Sequence, residues 1–382
     1  MVHFAPEQVV HFIPERVVHF ERNRQVVTID IGLDSRLQLS EITEEITKIE
    51  LELTDESIIN PDIIRKVHVF DSLVFISQNE IILLFNMEGE FIRSIGSKGQ
   101  GPGEYLYISS FTVDEKNLII YIVGHPLKII SYDLNGKFLK EHSIGTAYSG
   151  QMIDIDCFNN EILVLAELIR EKQNKENERL NCFHSVIYKI NNEMQFIDSC
   201  FIRDVYFEGH FSKGWLYDYL TYNNSVVYLY NPELTSFYIN FHPPLQQLGP
   251  IDRVLRDTLY RFENNRLVPE LKLEFKRNGR NYNKDKYIQL FNIYRSSRYV
   301  FLEYETENME KHFHFCYDIK KGISYNSNYD RVEFLSERKK MIRPISNNTE
   351  LFYYLQTNMA PDTFEEPNPT LYIGKLKRYE NK

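Results

Sequence analysis

A phrase that recurs 47 residues apart constrains this 382-residue chain more than any other feature of its sequence. Residues 85–92 read FNMEGEFI and residues 132–139 read YDLNGKFL, with Gly89 and Gly136 in equivalent positions. Each copy is followed by an Ile-Gly pair, at Ile95-Gly96 and at Ile144-Gly145. A four-stranded unit that repeats every ~40–50 residues is the sequence mark of a β-propeller blade. The repeat therefore predicts a propeller.

The first copy of this unit predicts four strands joined by tight turns. Apolar runs place these strands at Val67–Phe70, Leu73–Ser77, Ile81–Phe85 and Phe91–Ile95, and Gly89 falls where a hairpin needs a positive φ. Later units are degenerate but can be counted, at Ile153–Phe201, Trp215–Phe275, Tyr287–Ser327 and Met341–Lys377. We therefore predict an all-β fold, a six-bladed β-propeller of four-stranded antiparallel blades over residues 40–382.

One early strand has no unit of its own. Residues Ile49–Leu53 read IELEL and alternate apolar with charged side chains, which is typical of a half-buried strand. In propellers such a strand often completes the last blade, which leaves no long sheet edge exposed. We expect this N-terminal strand to close the ring. Helical patterns are nearly absent, and Ser40–Lys48 and Asp252–Asp257 each predict at most a single short turn of helix.

The amino-acid composition favours β-strands and argues against some classes of binding partner. The chain has 26 Tyr and 26 Phe, residues that favour pleated sheets. Its 54 acidic residues exceed its 44 basic ones, which argues against nucleic acid or an anionic membrane as a partner. No apolar run reaches the ~18–20 residues of a membrane span. Four cysteines, at positions 157, 182, 200 and 316, match no zinc or redox motif and are expected to be small buried side chains.

The first 24 residues repeat an octapeptide three times, as MVHFAPEQ, VVHFIPER and VVHFERNR. So short and regular a period predicts a duplicated leader, and we assign residues 1–39 to a leader that is poorly ordered at its start. His3, His11 and His19 would share one face of an extended chain. We interpret the repeat as a tandem duplication with no chemical role, and we prefer this interpretation to a metal site built from the three histidines. The segment lacks the apolar core of a signal peptide.

A glycine-rich loop at residues 96–103 is the first candidate site. A phosphate-binding loop requires a helix after the glycines, whereas the alternating residues from Tyr105 onward predict a strand. The loop is therefore expected to connect blades, with Glu104 capping backbone amides. Its place at a propeller face also makes ligand binding a hypothesis, for which the candidate residues are Gly99, Gly101, Gly103, Glu104 and Tyr105.

Two histidines alternate with phenylalanines at His312-Phe313-His314-Phe315, so a strand would present both imidazoles on one face. They are candidate metal ligands, but a site needs at least one more ligand from elsewhere. The alternative is a strand with one face in water. Asp154 and Asp156 likewise share a strand face. No hydrolase, metalloprotease or kinase motif is present, so we predict no catalytic residues and no cofactor, with calcium left as an open alternative.

The most specific phrase is IGSKGQGPGEY at residues 95–105, and DTLY at 257–260 and NPTL at 368–371 accompany it. With these, residues 40–380 resemble the six-bladed β-propeller proteins of gut commensal bacteria, relatives of NHL-repeat propellers. The resemblance implies export to the periplasm or cell surface and brings no established activity. The chain departs from it in showing neither a signal segment nor a lipid-attachment cysteine near its start.

Three functions remain open from the sequence. We favour a non-enzymatic binding or scaffold propeller that recognises a peptide, protein or glycan at one face of its channel. Aromatic tracts at 217–219, 228–230 and 352–354 would supply stacking surfaces for such a ligand if they are not core. The alternatives are a metal-dependent hydrolase or lyase of the calcium type, with its site in the central channel, and a purely structural exported protein.

Overall fold

The structure is a computed structural model, and it describes 15 segments of the chain. The octapeptide repeat and the aromatic tract at 217–219 lie outside them. The described segments are 25–78, 80–125, 127–143, 149–158, 161–173, 179–207, 228–231, 236–240, 258–263, 266–281, 288–306, 311–330, 342–345, 348–357 and 367–378.

These segments form 28 β-strands, one short α-helix, α1 (Leu39–Ile42), and one 3-10 turn, Pro61–Ile63. The strands as far as the second propeller unit are β1 (Gln25–Asp30), β2 (Thr43–Glu50), β3 (Lys66–Phe70), β4 (Leu73–Ser77), β5 (Ile82–Asn86), β6 (Phe91–Ile95), β7 (Ser97–Lys98), β8 (Glu104–Tyr105), β9 (Tyr107–Asp114), β10 (Ile119–His125), β11 (Lys128–Asp133) and β12 (Phe138–Ser143). Those that follow are β13 (Ser149–Phe158), β14 (Glu161–Gln173), β15 (Arg179–Ile190), β16 (Phe196–Phe207), β17 (Tyr228–Asn231), β18 (Ser236–Asn240), β19 (Thr258–Glu263), β20 (Arg266–Arg277), β21 (Arg280–Asn281), β22 (Ile288–Arg295), β23 (Tyr299–Thr306), β24 (Lys311–Asp318), β25 (Ile323–Asp330), β26 (Arg343–Ile345), β27 (Asn348–Gln356) and β28 (Thr370–Leu376).

Five sheets of the described segments are four-stranded and antiparallel. Four of them follow chain order, as β3–β6, β9–β12, β13–β16 and β22–β25, and the fifth joins β26, β27 and β28 to β2. Tight turns link β5 to β6 and β11 to β12, and Gly89 and Gly136 adopt φ of 92° and 78° in these two turns. The predicted strands Leu73–Ser77 and Phe91–Ile95 match β4 and β6 residue for residue. The prediction of four-stranded antiparallel blades is confirmed.

A larger sheet of mixed pairing accompanies the five. It contains β17–β20 in antiparallel order, β1 paired in parallel with β20, and β21 paired with β20. Val27 and Ile29 of β1 are completely buried, because the strand is covered on one face by the core. This strand lies within the segment that the sequence assigns to a leader. The prediction of six four-stranded antiparallel blades is not confirmed, since five of the described sheets are four-stranded and antiparallel.

The strand β2 pairs antiparallel with β28 near the other end of the chain, with Ile49 opposite Leu371. The predicted strand Ile49–Leu53 is wrong in its bounds, because only its first two residues belong to β2. The short helical turn predicted within Ser40–Lys48 corresponds to α1 at the start of that stretch, and the rest of the stretch belongs to β2. Charged residues such as Glu and Lys have high helical propensity, but pairing with β28 overrides it. The turn predicted at Asp252–Asp257 lies outside the described residues.

Apolar clusters fill the spaces between neighbouring sheets. Phe75 of β4 packs with Phe111 of β9, Tyr121 of β10 packs with Ile155 of β13, and the last sheet packs against the first. The first strands of the sheets contact one another, β3 with β9, β9 with β13, β17 with β22, and β26 with β3. These strands are therefore the innermost, and the fold is an all-β propeller.

Two smaller predictions concern the cysteines and the membrane. Cys157, Cys200 and Cys316 are free thiols, the last two buried and the first half-buried. The side chain of Cys182 lies outside the described residues. Neither helix in the described segments is long enough to cross a membrane.

Candidate functional site

The glycine-rich loop joins the first sheet to the second. Its ends, β7 and β8, pair in parallel, and the N–H of Gly99 donates to the carbonyl of Tyr105 at 2.9 Å. Gly96 and Gly103 have φ of 79° and 73°, a region that residues with a Cβ rarely adopt. A strand follows the loop, as predicted.

Hydrogen bonds to three charged side chains of the protein hold the glycine-rich loop in place. Glu104 Oε2 accepts a hydrogen bond from the N–H of Gly101 at 2.7 Å, which is the expected amide cap. The Lys128 ammonium donates to the carbonyl of Glu104 at 2.9 Å, and the N–H of Gly103 donates to Glu141 at 2.9 Å. The loop is thus a connection fixed by a lysine and two glutamates.

Of the five candidate ligand-binding residues, Tyr105 is completely buried, and its hydroxyl donates to the carbonyl of Ile95 at 3.2 Å. Gly103 is buried, and Gly99, Gly101 and Glu104 are half-buried. The ring of Tyr105 therefore belongs to the core, where burial raises the pKa of its hydroxyl. Ligand binding by the loop stays a prediction.

A second group of polar residues lies on the innermost strands of three consecutive sheets. We call Lys66, Ser110, Thr112, Asp154 and Asp156 the inner-strand cluster. Lys66 Nζ on β3 lies 3.2 Å from Asp154 Oδ1 on β13 and donates to the carbonyl of Ile155 at 3.0 Å. The hydroxyl of Ser110 on β9 donates to Asp154, and that of Thr112 donates to Asp156 at 3.2 Å. One lysine thereby connects three blades.

The electrostatics of this cluster are unbalanced, because two carboxylates share one ammonium. Burial opposes the charge of Lys66, but Asp154 and Asp156 outweigh it and raise the pKa of the lysine. Burial raises the pKa of Asp156 to about 6, against the attraction of Lys66 and with help from Asp154. Lys66 and Asp154 keep 13% and 15% of their side chains exposed. The cluster therefore reaches solvent at one side.

The candidate metal ligands His312 and His314 lie on β24, the third strand of its sheet. The neighbouring strand β23 places Glu303 directly opposite His314. His314 Nε2 lies 3.5 Å from Glu303 Oε1, and His312 Nε2 lies 4.0 Å from Glu303 Oε2. The ligand atoms of all three residues lie within 4.8 Å of one another. We call Glu303, His312 and His314 the histidine cluster.

This cluster lies between two sheets and not on a face in water. The side chains of His312, Glu303 and His314 are 3%, 9% and 21% exposed, which overturns the alternative of a wet strand face. The Arg343 guanidinium reaches across from β26 and contacts Glu303. Burial and the neighbouring His312 lower the pKa of His314 to about 3, so its imidazole is neutral near pH 7.

Sequence reasoning found part of each cluster. The shared face of Asp154 and Asp156 and the alternating histidines can be read from single strands. Lys66, Ser110, Thr112, Glu303 and Arg343 were missed, because their partners come from other strands. The available signal was a charged residue that begins or interrupts an apolar run, as in KVHVF at 66–70 and VFLEY at 300–304.

The aromatic tract at 352–354 contributes to packing, because Phe352 is completely buried and Tyr353 is 7% exposed. Tyr354 is half-buried and stacks on Tyr372 at 4.6 Å between ring centroids. The core interpretation therefore holds for this tract. The side chains of the tract at 228–230 lie outside the described residues.

The sheets and their contacting first strands define a β-propeller with buried charge at its inner strands. The chain belongs to the family described as a domain of unknown function, DUF4934, which it matches over residues 25–381. No curated protein matches it.

Two solved structures share the fold. One is a Bacteroides fragilis NCTC 9343 protein inferred to be exported, at 16% identity and a TM-score of 0.61, with 93% of this chain and 100% of that chain covered. The other is a member of the DUF4221 family from Bacteroides vulgatus ATCC 8482, at 11% identity and a TM-score of 0.50, with 88% and 97% covered. At these identities the likeness concerns the fold alone.

Proposed function

We propose that this protein is a non-enzymatic binding propeller that recognises a basic peptide or protein segment at one face of its channel. The observation that carries the proposal is the charge of the inner-strand cluster. Asp154 and Asp156 together hold one more negative charge than Lys66 neutralises when both carboxylates are ionised. A cationic side chain brought by a ligand would balance that charge.

The physical argument rests on the cost of unbalanced charge away from water. A buried carboxylate without a full counter-charge is unfavourable, and the raised pKa of Asp156 reflects this cost. A lysine or arginine of a ligand would supply the missing positive charge and hydrogen-bond donors. The formal net charge of −10 adds a long-range attraction for basic partners.

Binding of labelled peptides tests the proposal. We expect a lysine- and arginine-containing peptide to bind, an acidic peptide of the same length not to bind, and binding to weaken as salt is raised. The variant Asp156→Asn removes the surplus charge and should weaken binding at least ~10-fold, about 1.4 kcal/mol. Glu88→Gln is the matched control, because Glu88 is exposed on a turn.

Equal peptide affinities of Asp156→Asn and Glu88→Gln would contradict the proposal. So would equal affinity for a neutral oligosaccharide, which would favour the glycan alternative. A metal-dependent hydrolase with a channel site has less support, because the first-strand carboxylates already hold the Lys66 ammonium. The histidine cluster lies on second and third strands.

We also infer a ring of six blades that β2 closes. The strands β17–β20 supply one blade to which β1 and β21 are additions, and β2 supplies the outer strand of the last blade. Asn368, just before β28, supports this closure, because its side chain donates to the carbonyls of Glu52 and Ser57 at 2.8 Å each. Deletion of Thr43–Glu50 should expose the edge of β28 and cause aggregation, measured by light scattering.

The location is a separate proposal. The structural relative from Bacteroides fragilis is inferred to be exported, and this supports a periplasmic or cell-surface location for the present chain. Fractionation of cells that express the full natural gene would test it.

A further inference from the structure

We propose that Glu303, His312 and His314 form a binding site for a divalent transition metal of the zinc type, held between two blades. This site is distinct from the inner-strand cluster. It would bind metal whether or not the channel binds a peptide.

The first argument is geometry. The three ligands lie on two adjacent, paired strands in the middle of a sheet, with Glu303 opposite His314 and His312 two residues before it on the same face. The imidazole centroids of the two histidines are 5.6 Å apart. Ligand atoms within 4.8 Å of one another need only small side-chain rotations to meet one ion. Because the backbone is fixed by ladders on both sides, the arrangement is largely preorganised.

The second argument is the chemistry of the donors. Two imidazoles and one carboxylate form one of the three-residue ligand sets that zinc uses, with a fourth position open to water. Calcium and magnesium prefer oxygen ligands, so this donor set disfavours the calcium alternative at this position. A metal binds the neutral form of an imidazole, and both His312 and His314 lie largely out of water beside the carboxylate of Glu303.

The third argument concerns Arg343, which provides the positive charge beside Glu303. A metal ion would take over this role, and the guanidinium would then have to leave. The Arg343 side chain is 26% exposed and long, so it has a path to solvent. Arg343 therefore competes with the metal for Glu303, and its removal should strengthen metal binding.

Zinc titration of the chelator-treated full chain tests the site. Any histidine can bind added zinc and so contribute a background signal, so the chain used in the titration carries His3→Ala, His11→Ala and His19→Ala in the octapeptide repeat. In this background we expect one zinc per chain, and Co²⁺ should give the visible absorption of a tetrahedral site. Glu303→Gln and His314→Ala should each weaken zinc binding at least ~100-fold.

Two further variants make the test specific. His142→Ala removes a half-buried histidine of another sheet and should leave zinc affinity unchanged. Arg343→Met should raise zinc affinity, whereas a variant in which the site had unfolded would bind zinc more weakly. Circular dichroism checks that each variant is folded. Zinc binding that survives both Glu303→Gln and His314→Ala, or that vanishes with the repeat histidines, would overturn the proposal.

Discussion

The Lys66 ammonium lies 3.2 Å from Asp154 Oδ1, and these residues belong to the innermost strands of two different sheets. The strand β9 lies between them and contributes Ser110 to the same group of hydrogen bonds. The contact holds three blades of the propeller through one side chain. It also leaves Asp156 as a buried acid that shares its counter-ion with a neighbour.

Replacement of Lys66 by Met should destabilise the protein by about 3–5 kcal/mol, because two carboxylates then remain buried without their cation. Urea denaturation measures the free energy of unfolding. The double variant Lys66→Met/Asp154→Asn should recover part of the loss. Lys98→Met is the control, since Lys98 and Glu80 form an exposed pair, with 56% and 55% of their side chains in water, and such pairs contribute below ~1 kcal/mol. Equal effects of the two lysine variants would contradict this interpretation.

Asp156 should make stability depend on pH in an unusual direction. Its pKa is raised from 3.8 to about 6 in the folded protein, so the folded state binds this proton more tightly than the unfolded chain. The contribution of this group to stability is therefore fully present below about pH 3.8 and is lost as the pH rises through about 6.

The variant Asp156→Asn lacks this titration. We expect it to gain stability relative to the parent protein, on the order of 2–3 kcal/mol, as the pH is raised from about 4 to about 8. Urea midpoints of the two proteins across that range measure the gain. A constant difference between them would show that Asp156 titrates normally.

Much of the first blade could be predicted from the sequence, because apolar runs and turn glycines are local signals. The strand β2 was misplaced, since its Glu and Lys residues favour a helix until β28 supplies a pairing partner. The strand β1 was not predicted, because it follows a leader-like repeat and pairs with β20, about 246 residues further on. Lys66 meets Asp154 across 88 residues of sequence. Contacts between residues so far apart in the chain produce no local sequence pattern from which they could be predicted.

Substitution by alanine should destabilise the protein more at Gly103 than at Gly279, although the two glycines share the same backbone conformation. Gly103 and Gly279 have φ of 73° and 75°, so both variants carry the cost of a left-handed residue, about 1–2 kcal/mol. A Cβ at Gly103 would lie 2.6 Å from the Phe138 ring, whereas one at Gly279 meets nothing within 4 Å. Gly103→Ala should therefore cost about 1–3 kcal/mol more than Gly279→Ala. Thermal unfolding compares them, and similar losses would mean that Phe138 moves freely aside.

Truncation should separate the octapeptide repeat from the strand that follows it. Removal of residues 1–24 should change the melting temperature by less than about 5 °C, because the repeat lies outside the propeller units. Removal of residues 1–30 also deletes β1, whose Val27 and Ile29 are completely buried. Those two side chains contribute about 3–6 kcal/mol together, so the longer truncation should unfold at a clearly lower temperature. Equal melting of both truncations would show that β1 adds nothing to the sheet, and a large fall from the shorter one would make the repeat part of the fold.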